Sequence, residues 1–128
     1  MSYYFNKTLA LGFDDAIGRV TEALKEQGFG IISDIDVKAT FKKKINVDFR
    51  NYRILGACNP ALAHEALSVE DKIGTMLPCN VVVQDAGPGQ TEVAAIDPVA
   101  SMQAVDNPRL AQAAAKVREK LKRVVEQL

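Results

Sequence analysis

The sequence predicts an α+β fold in two layers: a mixed sheet of about five short strands, with the N-terminal and long C-terminal helices packed on one face. Three observations carry this. Short runs of strand-forming residues recur along the chain, with helix-spaced apolar stretches between them. The last of these stretches, with Leu110, Ala114, Val117, Leu121, Val124 and Leu128 at steps of four and three, marks a long helix with one apolar side. Two runs of branched residues flank a short Gly/Pro loop, the pattern of an antiparallel hairpin.

Taken in order, residues 3–11 read as the first strand, with Tyr3, Phe5 and Leu9 on one parity. Phe13, Ile17, Val20 and Leu24 then fall at helix spacing, so residues 14–27 form the first helix. Asp14 or Asp15 meets its free amides and positive end, and Gly28 stops it. Residues 30–35 form the second strand; if it runs parallel beside the first, the helix is a right-handed crossover. Residues 37–47 suit either a strand or a short helix capped by Asp36. The helix is favoured because Val37, Phe41 and Ile45 are four apart, with lysines between them.

Residues 52–57 make the third strand, and Asn59-Pro60 starts a helix with a side-chain cap followed by a residue that has no amide to satisfy. Ser68 and Asp71 suggest a second capping box, restarting a short helix over 69–74. Leu77, before Pro78, should be extended. Residues 80–84 and 90–96 form the hairpin. Val81 and Val83 face one way and Val82 the other, as in a central strand. Asp97-Pro98 and Asn107-Pro108 begin the last two helices.

The 128 residues indicate one compact domain, 1–128, able to bury roughly two-thirds of its unfolded surface. Sixteen basic and sixteen acidic residues cancel, which leaves no global field for nucleic acid or anionic lipid. No apolar run is long enough to span a membrane, and no basic, cleavable leader is legible at the N-terminus. Two cysteines in a chain of this size fit a reduced, cytoplasmic protein.

The chemical candidates cluster around residues 52–83. Cys58 lies one residue before a helix cap, where free amides and the helix dipole stabilise a thiolate. It suits a catalytic nucleophile, a ligand contact or a metal ligand; the plainer reading is a small apolar plug at a strand end. Cys79 reaches the same sheet end if the third and fourth strands are neighbours, as half of a redox pair or metal site; core packing is the plainer reading. His64 and Glu65 sit on the Asn59-capped helix, away from its apolar side, facing solvent or a cleft; they suit a general acid or base, and the plainer reading is a solvated helix face. The second histidine of a zinc-protease motif is absent, because Ser68 stands there. Lys38, Lys42, Lys43, Lys44, Arg50 and Arg53 form a local basic patch that can hold a phosphate or carboxylate ligand, or nucleic acid weakly, or serve only as a solvated face, the plainer reading. No phosphate-binding glycine loop and no nucleophile elbow occurs.

The stretches Gly56-Ala57-Cys58-Asn59-Pro60 and Leu77-Pro78-Cys79-Asn80-Val81-Val82, together with Ala63 and Ala66, resemble a small bacterial and archaeal family known as domain of unknown function 302. The resemblance covers nearly the whole chain. It implies a compact α/β domain that self-associates, with the family motif on Cys58, Asn59, Pro60, Pro78 and Cys79, and it names no activity or cofactor.

Three functional readings follow. The first is a small-ligand or metal-binding module in a cleft near Cys58, Asn59, His64 and Cys79. The second is a thiol-dependent redox protein or enzyme using Cys58. The third is a non-catalytic homodimeric scaffold, since a sheet with one uncovered apolar face needs a partner.

Overall fold

The computed structural model describes residues 2–128. Five strands, β1 (Tyr4–Leu9), β2 (Gly30–Asp36), β3 (Tyr52–Cys58), β4 (Cys79–Asp85) and β5 (Thr91–Ile96), form one sheet in the order β1-β5-β4-β3-β2. The helices are α1 (Phe13–Glu26), α2 (Val37–Ile45), α3 (Pro60–Val69), α4 (Pro98–Ser101) and α5 (Pro108–Glu126), with a 3-10 segment at Asp71–Met76. The α+β class, the five strands and the two long covering helices stand as expected.

The sheet is not mixed. Each neighbouring pair is antiparallel. β1 and β2 do point the same way, but they lie at opposite edges, because β5, β4 and β3 occupy the places between them. α1 therefore spans the sheet instead of joining adjacent parallel strands. The hairpin of β4 and β5, with Val83 opposite Val93, leaves β5 free to take β1 on its other side.

Alternation along β4 and β5 divides the sheet into two faces. Val81, Val83, Val93 and Ala95 are buried under Ala16, Val20, Ala23 and Leu24 of α1 and Leu121, Val124 and Val125 of α5. Each valine or leucine side chain among them contributes about 1.5–3 kcal/mol on full burial. Thr91 is buried among them and satisfies its hydroxyl by donating to the Leu11 carbonyl at 2.9 Å. A second, smaller core gathers Ala66, Ile73, Met102, Leu110 and Ala114 where α3 and the 3-10 segment meet α5.

The helix starts follow the sequence in four places. Asp36, Asn59, Asp97 and Asn107 each accept from an amide of the turn that follows, and α2 is a helix for that reason. Two expected caps fail. α1 begins after Gly12 with no side-chain cap, so Asp14 and Asp15 act through their charge on the first turn alone. Ser68 is still inside α3 and donates to the His64 carbonyl at 2.6 Å, so it cannot cap the 3-10 segment.

Candidate functional site

The apolar run Ile54–Ala57 carries β3 to its end at Cys58. The Asn59 side chain accepts from the Leu62 amide at 3.2 Å, and Pro60 opens α3. Ala57 pairs with Cys79, the first residue of β4, so the two cysteines stand at one end of the sheet on adjacent strands. Between that end, α3 and α5 lies a hollow of about 280 Å³. β3 and β4 contribute Ala57, Cys58 and Cys79. α3 and its cap add Asn59, Leu62, Ala63, Ala66 and Leu67, and α5 adds Leu110, Ala113, Ala114 and Val117. Leu77, Pro78, Pro98 and Met102 complete the far wall, with Phe29 and Ile32 at the near one. No charged side chain lines it.

Two polar ties hold the walls apart. Asn107 caps α5 and turns its amide group back to the Val69 carbonyl at 2.8 Å and to Glu70 at 3.1 Å, fixing the end of α3 to the start of α5. Asp97 caps α4 and pairs with Arg118 of α5 at 3.2 Å, fixing Pro98 and Met102 against that helix. With its end fixed, α5 presents alanines at positions 113 and 114 where larger residues would close the space.

Cys58, Asn59 and Cys79 thus line one hollow. His64 does not: it is exposed and stands outside the lining. Its carbonyl takes the Ser68 hydroxyl, while Leu62, Ala63 and Ala66 turn inward. Among the described residues no group of three or more His, Cys, Asp or Glu side chains is placed to hold a metal ion. The set Cys58, His64 and Cys79 is therefore not assembled. The basic run also divides. Arg53 pairs with Asp34 at 3.1 Å, Arg50 stacks on Phe49 with its guanidinium carbon 4.4 Å from the ring centroid, and the four lysines stay on the exposed side of α2.

Both cysteines are free, Cys79 buried and Cys58 half-buried. Burial, and after it the charge of the nearby Cys58, push the Cys79 thiol up from 9.0 to about 11. Cys79 is accordingly a neutral, slow thiol at physiological pH. A raised acid pKa means that the folded state holds the proton more tightly than the unfolded chain. The stabilising contribution is therefore complete below pH 9.0 and is lost as the pH rises toward about 11. Urea midpoints should fall across that interval in the wild type and fall less in Cys79→Ala. Iodoacetamide at neutral pH should modify Cys58 well before Cys79; equal rates would contradict the burial of Cys79.

The sequence placed Leu110, Ala114 and Val117 on the apolar side of the last helix but did not bring them to the site, and it assigned neither Ala113 nor Met102 to it. Small residues at the core-facing positions 113 and 114 were the available signal, and their helix-forming role masked it.

No helix among the described residues is long and apolar enough to cross a membrane. No curated protein matches the chain. The crystal structure of an uncharacterised conserved DUF302 protein from Bacillus stearothermophilus superposes with a TM-score of 0.90 at 26% identity, covering 99% of this chain and 98% of that one. The family model described as domain of unknown function DUF302 matches residues 5–128, and the chain belongs to that family.

Proposed function

We propose that the protein is a binding module for a small, uncharged, mainly apolar molecule held in the hollow beside Cys58 and Cys79. The observation that carries this is a preformed space of about 280 Å³ lined by apolar side chains, two thiols and one amide. An engineered apolar cavity of about 150 Å³ takes up benzene, so this one suits a ligand of roughly ten carbon atoms. The thiols supply polarisable contacts and Asn59 the one strong polar group at the rim. The absence of charge in the lining disfavours phosphates, carboxylates and metal ions, which would lose hydration without compensation.

A thiol-dependent reaction at Cys58 has weaker support, because no histidine, carboxylate or lysine lines the hollow to act as its base. The free thiols favour a reducing, cytoplasmic setting.

The test is a titration with a neutral naphthalene-sized fluorophore, followed by thermal melting. Saturable one-to-one binding and a raised melting temperature are expected, with about 2.7 kcal/mol of added stability at a hundredfold excess over Kd. Ala63→Phe, at the half-buried wall contributed by α3, should abolish binding while the variant stays folded. Binding that survives Ala63→Phe, or none by the wild type with a panel of neutral apolar compounds, would reject the reading.

A further inference from the structure

Asn59 has both a hydrogen-bond acceptor and a donor, and the fold spends only the acceptor. Its Oδ1 is committed to the Leu62 amide at 3.2 Å, as the cap of α3. A backbone N–H can only donate, so the oxygen must face it and Nδ2 must face away. A Cβ on Gly28 would stand 3.0 Å from Nδ2, so the nitrogen occupies room that this glycine leaves open. Phe29, the next residue, stands in the near wall of the hollow. The amide plane is thus set from two sides, by the cap and by the Gly28 backbone. Among the described residues Nδ2 donates to no group. Nor is it sealed off: there the one enclosed side-chain nitrogen without a partner is Nε of Arg53.

The other lining side chains add no strong acceptor. Cys58 and Cys79 are free thiols, which donate and accept weakly. The deepest lining residues, Ala66, Leu110, Ala113 and Ala114, are buried and carry no polar side-chain atom. Asn59 is half-buried, nearer to solvent. A molecule in the hollow therefore meets hydrocarbon at depth and a fixed N–H donor at the rim.

We propose that the hollow selects apolar carbonyl compounds, such as ketones, aldehydes or esters. The carbonyl oxygen accepts from Nδ2 of Asn59, and the hydrocarbon body lies against Ala66, Leu110, Ala113 and Ala114. This rests on the hollow being a binding site, and adds which functional group is read and which end enters first. A carbonyl oxygen accepts and has nothing to donate, so it matches a wall whose one strong group donates. A head that only donates, such as a ring N–H, would set two donors face to face and leave both unpaired. Asn59 orients the bound molecule; no covalent bond forms or breaks.

Two probes of the same shape test it: methyl naphthyl ketone, and isopropylnaphthalene, in which a methyl group replaces the oxygen. Both are titrated into the full chain, into Asn59→Ser and into Asn59→Asp. Each substitution keeps an oxygen to cap α3. Comparing the ratio of the two affinities between proteins removes the difference in the probes' own hydrophobicity. That ratio should shift against the ketone by about two- to tenfold in Asn59→Ser, the worth of one neutral hydrogen bond. In Asn59→Asp it should shift further, because a carboxylate then faces the carbonyl. In the wild type, the infrared carbonyl stretch of the bound, isotope-labelled ketone should match its frequency in an alcohol and not in hexane. A ratio unchanged in Asn59→Ser, or a hexane-like stretch in the wild type, would overturn the proposal. Continued binding of the hydrocarbon would then leave the apolar hollow standing as a site. Failure of both probes to bind the wild type would overturn the two readings together.

Discussion

Leu121→Ala should remove about 2–5 kcal/mol of folding stability, the range for deleting a fully enclosed leucine side chain. Leu121 has no solvent exposure and sits on α5 in the main core with Val124 and Val125, over the sheet's inner face. The cost has two parts, lost transfer energy and a space that rigid strands below and α1 alongside cannot close. Against a total of roughly 5–15 kcal/mol for a domain, this is a large share. Urea denaturation checks it: the midpoint should drop while the slope stays constant. A loss below about 1 kcal/mol would mean that α5 packs more loosely than described.

Gly56→Ala should be the next most damaging change, for the opposite reason. A Cβ at Gly56 would stand 2.1 Å from the Ser33 hydroxyl and 2.6 Å from Cγ of Pro78. Ser33 is exposed and can rotate away, but the Pro78 ring is tied to its own backbone and can yield only by a change of pucker at Cγ. Either Pro78 moves or β3 leaves its register with β4. Overpacking of this kind costs about 1–3 kcal/mol. Because Pro78 also walls the hollow, the substitution should lower affinity for the apolar ligand along with the melting temperature. Paired melting and fluorophore titrations separate the two effects. Unchanged stability would show that Pro78 yields freely.

Both residues illustrate what was legible beforehand. The spacing of Leu121 with Leu110, Ala114 and Val124 marked it as core from the sequence alone, since helical periodicity is local information. The caps at Asn59, Asp97 and Asn107 were legible for the same reason: a polar side chain before proline has a specific local use. Strand order was not. Nothing near residue 4 reveals that β1 pairs with β5, because that pairing is decided by which edge the hairpin leaves open. Gly56 looked like any strand glycine until Pro78 was placed over it.

The candidate site was half visible. The junctions at Cys58 and Cys79 pointed to the right end of the sheet, and the hollow is there. Its opposite wall comes from α5, far along the chain, and only the tertiary packing brings it in. His64 was a ligand candidate by its nearness in sequence, but its place off the apolar side of the helix already pointed to solvent, where it stands.

The pairing of β1 with β5 bears on how the protein is made. Tyr4 is matched to Ile96, so the earliest strand to leave the ribosome waits, unsatisfied, until nearly three-quarters of the polypeptide has followed it. The strands from β2 to β5 can zip in succession as a meander of near neighbours, whereas β1 must close a long loop. During that interval Tyr4 and Phe5 stand without the β5 residues that later pair with them.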